Sequence, residues 1–490
     1  MKTFLMSILV VASLLPQTSV NAQAVQCGSP MPVSNDIAAF SALAHMTADS
    51  SGRIHMVWSS GVGEGRNEEQ VETDTIFYTT WQDGAWTLPV DILTDAVYAT
   101  ADDIGVTAHG DVFVTWRNRS DLFISQAIAG QTASARNWLT QNMALGSVAD
   151  SAMYIDAQDN IHLIYSAHVP AQGQGALGYL MSSNGGDTWS QPVEFLTFDG
   201  STELLTNVQI YADNAGRLHV VWNRNSADES WLPMGVYYAM SDSSGQTWTT
   251  PEEVFVGARA GYPYLSPAAQ PDRIYMNWLR GVGNEDSKYL RTSDNNGQLW
   301  TSPQLVFRNL QGLNGAMPIV VDSSGAEYWV MSGDTPDGST QIHYSRQSDD
   351  NGWTTPLSIS PELRDSEFPE ALIVNGNQLH IVWNEFINDD IFHTVCRLDA
   401  PEIPPVPLPI PAAIAPTSVA PTPSNHVVDP AALGATPMPA PTNPLPESIR
   451  QSPTSSSLSV LQVVILAVLP AFLLVVGAVF WQTGRNRRRQ

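Results

Sequence analysis

The stretch GRLHVVW at 216–222 decides the fold. It follows a turn-forming run, Asp213-Asn-Ala-Gly216, and is rich in β-branched and aromatic residues, His219, Val220, Val221 and Trp222. Such a segment after an Asp/Asn/Gly turn is a strand. The same strand recurs as GRIHMVW (52–58), GDVFVTW (110–116), DNIHLIY (159–165), DRIYMNW (272–278), GAEYWVM (325–331) and NQLHIVW (377–383). A second signature, W-[ST]-x-P, recurs at Trp86, Trp189, Trp248, Trp300 and Trp353, and Trp138 fills the remaining interval without the proline. Both mark a period of roughly 53 residues between 27 and 398, and a period of that length holding several short strands predicts a β-propeller. No copy shows the 3.6-residue apolar spacing of a helical repeat.

One copy parses into four strands: about Val208–Ala212, Leu218–Arg224, Val236–Met240 and Glu252–Val256. The second is the most apolar, as a strand covered on both faces should be. Seven copies predict seven blades, with six as the alternative. The last copy has strands near 369–374, 378–384 and 391–397 and then runs into proline, so it lacks a fourth. A propeller must cover that edge. The N-terminal Pro30-Met-Pro-Val33 resembles the opening of a fourth strand and is the expected partner. That closure would make Cys27 and Cys396, the only two cysteines, neighbours and a disulfide in an exported protein. The other reading is two unrelated buried thiols.

The flanks read as address labels. Residues 1–24 carry Lys2, an apolar run from Phe4 to Leu15 and small residues at Ala22 and Ala24, the pattern of a secretory signal. Residues 458–481 hold no charge and are long enough to span a bilayer, and Arg485, Arg487, Arg488 and Arg489 follow, which predicts one transmembrane helix with a cytoplasmic tail, 482–490. Residues 400–457 are rich in Pro, Ala, Ser and Thr and read as an extended stalk on the order of 100 Å or more in reach. The folded body is then 25–399, outside the cytoplasm at the plasma membrane. The chain carries 22 basic against 48 acidic residues, a formal charge of −26. That balance argues against a nucleic-acid partner, because phosphates are met by Lys and Arg.

The turns between third and fourth strands carry a family mark. Ser182-Ser-Asn184-Gly-Gly186-Asp-Thr-Trp189, Ser241-Asp-Ser243-Ser-Gly245-Gln-Thr-Trp248 and Ser293-Asp-Asn295-Asn-Gly297-Gln-Leu-Trp300 resemble the Asp-box, S-x-D-x-G-x-T-W, and 348–353 is a shortened copy. In physical terms the Asp or Asn side chain bonds local amides, the Gly takes positive φ, and the Trp packs between blades. The box is degenerate, since Asn184, Ser243 and Asn295 replace its Asp. It marks the sialidase (BNR-repeat) propellers, whose active site lies on the face opposite the boxes.

The resemblance implies where a site would be. Arg117, Arg224 and Arg280 follow the second strand in three copies and would form an arginine clamp for a carboxylate. The reading in which they are solvated loop residues competes with it, because an R-I-P motif is missing from Ile37–Met46. A retaining sialidase needs an acid and a Tyr nucleophile assisted by Glu. The candidates are Asp102 or Asp103 as acid, Tyr262 or Tyr264 as nucleophile, and Glu203 as its base. Acidic loop residues such as Glu285, Asp286, Asp389 and Asp390 disfavour an anionic sugar. They leave Ca²⁺ as an idea that no loop spacing supports. His55, His162, His219 and His380 occupy one repeat position in different blades, so they are expected to be structural rather than one metal set. The expected function is non-catalytic recognition of an extracellular glycan or protein ligand, with exo-sialidase-like hydrolysis as the alternative. No cofactor is expected.

Overall fold

A computed structural model describes residues 25–34, 39–62, 73–93, 99–229, 231–281, 287–308, 310, 315, 317–348, 352–363 and 365–408. The expected signal, the apolar 458–481 run, the basic tail and most of the stalk lie outside the described residues. So do the loop carboxylates Glu285 and Asp286. Among the described residues no helix is long and apolar enough to cross a membrane. The chain divides into compact units at 406/407. Only Pro407 and Leu408 of the second are described.

The first unit is all-β, and its described helical content is three single 3₁₀ turns. Strands β1 (Gln26–Cys27) and β2 (Met31–Pro32) come first. Then β3 (Ala39–Ala48), β4 (Ile54–Val62), β5 (Thr73–Gln82) and β6 (Ala85–Trp86) pair in sequence, with β7 (Val90–Asp91) also on β5. A second sheet is β8 (Ala99–Val106), β9 (Val112–Asn118), β10 (Asp121–Ala127) and β11 (Leu139–Asn142). The next is β12 (Val148–Ile155), β13 (Ile161–Val169), β14 (Gln174–Ser182) and β15 (Val193–Asp199). An eight-stranded sheet follows. Its first half is β16 (Glu203–Ala212), β17 (Leu218–Ser226), β18 (Leu232–Ser241) and β19 (Glu252–Val256). Its second is β20 (Ala260–Pro267), β21 (Ile274–Arg280), β22 (Ser287–Ser293) and β23 (Gln304–Phe307). The halves meet at one parallel bridge, Met234 to Ala260. Then come β24 (Ile319–Val321), β25 (Glu327–Asp334), β26 (Thr340–Arg346) and β27 (Leu357–Ser358). Last are β28 (Ser366–Val374), β29 (Gln378–Glu385) and β30 (Asp390–Arg397).

The first strand of each group packs against the first strand of the next: β3 on β8, β8 on β12, β12 on β16, β16 on β20, β20 on β24, β24 on β28, and β28 back on β3. The N-terminal segment covers the last edge. β2 pairs with β30 through Met31–His393 and Pro32–Phe392, and β1 pairs through Cys27–Cys396, which are disulfide-bonded.

The core lies between sheets. The repeated strand supplies Trp58, Trp222, Trp278, Trp329 and Trp383, all fully buried. Across the seam between the last and first sheets, Val33, Ala44, Met56, Trp58, Val382 and Ile391 form one cluster. The Asp-box turns act as their residue types predict. Ser182, Ser241 and Ser293 each accept from the box glycine's N–H at 2.8–2.9 Å. Trp248 stacks on Phe195 of the preceding sheet at 4.4 Å, and Trp300 meets Tyr238 edge-on at 5.3 Å. Gly245 sits at φ +82° against the Tyr179 ring, where a Cβ would collide.

Candidate functional site

Six inner strands break register at one place, and each resumes pairing on a polar side chain: His45 in β3, Asp103 in β8, Asp150 in β12, Gln209 in β16, Tyr264 in β20 and Glu370 in β28. A bulge re-aims a side chain and terminates local pairing. In four of the six strands the bulge holds a non-glycine residue at positive φ: Leu43 (56°), Asn207 (51°), Tyr262 (53°) and Phe368 (53°). For Leu, Tyr and Phe that conformation is strained, and strain of this kind collects at functional sites.

The six side chains are only partly exposed and come from six different inner strands. His45 Nδ1 lies 3.8 Å from Glu370 Oε1, and the Glu370 carboxyl and the Tyr264 phenol are near enough for each to shift the other's ionisation. The Asp103 charge reaches both Tyr264 and Glu370, although their strands do not adjoin β8. Three of the six also tie their inner strand to the next one. Asp103 Oδ2 accepts from the Met153 N–H at 2.8 Å, Asp150 Oδ2 from Val208 at 3.2 Å, and Gln209 Oε1 from Leu265 at 3.2 Å. His45, Tyr264 and Glu370 have no backbone partner of that kind among the bonds found, which makes them the free chemistry of the set.

Burial sets their protonation. It pushes Glu370 up to about 8, with the Asp103 charge adding and the Tyr264 hydrogen bond opposing. It raises Asp103 to about 7, against hydrogen bonds from the Met153 and Ile104 amides and with help from Asp102 and Asp150. Asp150 rises to about 6, chiefly by burial, although Arg117 pulls the other way. Burial lowers His45 to about 4, opposed by Asp102. Tyr264 is raised well above the ordinary phenol range by burial and by the Glu370 and Asp103 charges. At neutral pH Glu370, His45 and Tyr264 are therefore uncharged, Asp103 is about half ionised and Asp150 is mostly ionised.

Asp102 is gripped by Arg117, whose Nε donates at 3.0 and 2.8 Å to its two oxygens, and it also accepts from Ser151 Oγ at 2.6 Å. That leaves Asp103, not Asp102, on the axis. Glu203 pairs with Arg224, and the carboxyl beside a tyrosine is instead Glu370. Tyr262 occupies the bulge itself. Its N–H donates to Asn223 Oδ1 at 2.9 Å, and its ring meets Phe368 at 6.2 Å. Burial, with the Glu367 charge, raises its phenol. The three arginines are engaged separately. Arg117 bonds Asp102 and the Ala149 carbonyl, Arg224 bonds Glu203 and Tyr237, and the Arg280 guanidinium lies 5.8 Å from the centre of the Phe255 ring.

His45, Asp150, Gln209 and Glu370 are not among the residues expected from sequence. A signal for them exists: His45, Asp103, Gln209 and Glu370 each stand ten residues before the same position of the repeated strand, held by His55, Phe113, His219 and His380. The strand histidines do not meet. His55, His162 and His219 each lie between a tyrosine hydroxyl at 2.7–2.8 Å and an aspartate at 3.2–3.3 Å in their own sheet. Among the described residues no group of His, Cys, Asp and Glu is arranged to hold a metal ion.

The fold is that of a β-propeller. The lectin BP39L of Burkholderia pseudomallei superposes with a TM-score of 0.52 at 13% identity, covering 76% of this chain and 99% of the lectin, and that likeness shows the fold. An ulvan lyase of polysaccharide lyase family 25 gives a TM-score of 0.49 at 10% identity, covering 73% of this chain and 94% of the lyase. The NanB sialidase of Streptococcus pneumoniae gives 0.43 at 12%, covering 75% of this chain and 70% of the sialidase. No family model and no curated protein matches the chain.

Proposed function

We propose that the chain is a seven-bladed propeller, exported and tethered by its C-terminal apolar helix, that recognises a glycan, free or carried on a protein, at the axial bulge site. The inner-strand contacts that run from β3 through β28 and back support the blade number. The residues of 1–24 and 458–481 support export and tethering. The observation that carries the function is the convergence of His45, Tyr264 and Glu370 beside the strained ring positions of Tyr262 and Phe368. Aromatic faces and a few convergent polar groups are what a small polar ligand needs. The likeness in fold to a lectin agrees with binding rather than catalysis. Glycan-array binding by the full-length protein tests this. We expect capture that is lost in Tyr264→Phe with the unfolding midpoint kept, and no capture of any glycan would refute the reading.

One observation favours hydrolysis as a second reading. The Glu370 and Asp103 carboxyls both act on the Tyr264 phenol, which is the Tyr-and-carboxyl pairing that the resemblance implies, although with Glu370 in place of Glu203. Release of a fluorogenic leaving group from a sialoside, abolished in Tyr264→Phe, would establish it.

A further inference from the structure

We propose that the axial site takes an uncharged, hydroxyl-rich ring, a neutral sugar residue, at the seam between β28 and β3, and that it is not built for an acidic sugar. The inference rests on the reading that the axis is the binding site.

The cations come first. An acidic sugar needs a guanidinium or ammonium free to meet its carboxylate. Arg117 and Arg224 are each paired with a carboxylate, and the Arg280 guanidinium lies against the Phe255 ring at 5.8 Å with its Nε buried. The axial side chains are an imidazole, a phenol, a carboxamide and carboxyls, with no Lys or Arg among them. A ligand carboxylate would face Asp103, Asp150 and Glu370. Burial already holds Glu370 and Asp103 toward their neutral forms, and a further negative charge would meet the same penalty. Neutral carboxyl, neutral imidazole and phenol together offer both donors and acceptors, which is what hydroxyls require.

A second feature lies at the same seam. Asn384 in β29 is 1% exposed, and neither its carboxamide oxygen nor its nitrogen has a partner. Buried polar groups are nearly always paired, so an unpaired one calls for a missing partner. Asn223 holds the same place after the strand tryptophan, and its carboxamide bonds Asn207 at 2.6 Å and the Tyr262 N–H at 2.9 Å. It thus spans the bulge of its own inner strand and that of the next. In the last sheet the corresponding bulges are at Phe368 and Leu43, which flank Glu370 and His45. Placed as Asn223 is, the Asn384 carboxamide would set a donor and an acceptor beside the His45–Glu370 pair, for a sugar hydroxyl or the water through which one would be reached. Phe368 also meets Tyr262 at 6.2 Å and Phe386 at 6.1 Å, which supplies the apolar faces that a sugar's C–H edges cover.

The test measures binding of neutral oligosaccharides and of their sialylated or uronate counterparts to immobilised full-length protein between pH 6 and 9. We expect neutral sugars to bind with little salt dependence. Binding should weaken about tenfold as Glu370 ionises through about pH 8, because the carboxyl then ceases to donate. Asn384→Ala should weaken binding about tenfold. Should that variant unfold, the wild-type protein still decides: neutral sugars raise its unfolding midpoint and acidic ones do not. A preference for acidic sugars that vanishes in Arg224→Ala overturns the inference and leaves the binding reading intact. Binding confined to amine-bearing sugars, with strong salt dependence, overturns it as well. If no sugar binds, the functional reading falls and takes the inference with it.

Discussion

Glu370 shows how one residue couples site and stability. Its carboxyl is held near 8, against an ordinary value of 4.5. A raised carboxyl means that the native state binds the proton more tightly than the unfolded chain. Its stabilising contribution is therefore full below about 4.5 and is lost as pH rises through about 8. Glu370→Gln should remove that loss. The gap in unfolding midpoint between variant and wild type should widen in the variant's favour from pH 5 to 8.5, and thermal melts across that range measure it. A gap independent of pH would mean that Glu370 is an ordinary solvated acid. Gly245 tests packing at the same scale. Gly245→Ala combines a positive φ with a collision against Tyr179, so a loss on the order of 2–4 kcal/mol is expected in denaturant melts.

At the scale of elements, the seam between the last and first sheets is closed by a chain of neutral groups. The Trp86 indole N–H donates to His393 Nδ1 at 3.1 Å, and His393 Nε2 lies 3.0 Å from His380 Nδ1. An indole can only donate, so it fixes the tautomers of both imidazoles in turn. Each acceptor nitrogen in the chain is then occupied, and His380 Nε2 is left buried without a partner. For His55, His162 and His219 an aspartate six residues upstream serves that nitrogen, as Asp213 does for His219, but here the position is Val374. Burial lowers His380 to about 4 and, with the neighbouring His380, holds His393 well below the ordinary imidazole range. For a lowered histidine, stability is full above about 6.5 and is lost as pH falls through about 4. Acid should therefore open this seam first. Hydrogen exchange near Trp81–Trp86 should accelerate between pH 6 and 4 ahead of the sheet at 148–199, and uniform acceleration would refute the claim.

At the scale of the whole molecule, closure depends on contacts nearly a chain length apart. The Cys27–Cys396 bond spans 369 residues, and Gly28 adds a hydrogen bond to Val395. Replacing both cysteines by serine should cost roughly 2–5 kcal/mol in denaturant melts made without reductant. The Pro-rich segment also begins later than its composition implies. The Ile403 N–H donates to the Asn375 carbonyl and the Val406 N–H to that of Ser50, each at 2.8 Å, and Asn377 reaches the Ala400 carbonyl at 3.1 Å. This strap crosses the turns of the last and first sheets, so the folded body runs to 406 rather than 399. A chain ending at 399 should melt several degrees below one ending at 408. Equal midpoints would mean that the strap rests on the surface without holding it.

The period of the repeat, the order of strands, the closing N-terminal segment and the Cys27–Cys396 pair were all legible in the sequence. They follow from local spacing, from turn chemistry and from the need to cover an edge. The Asp-box serines and tryptophans were legible for the same reason, because each acts within a few residues or on the adjoining sheet. The site was not. Asp103, Tyr262 and Tyr264 were found among loop candidates, yet Asp102, Glu203 and the arginines turned out to be occupied by partners that only packing reveals. His45 and Glu370 lie 325 positions apart in the chain and meet only because the ring closes β28 onto β3. The bulges that turn them inward leave no composition mark, since Leu43, Tyr262 and Phe368 are residues that would not choose positive φ alone. Local preference wrote the blades, and the long-range packing that overrode it made the site.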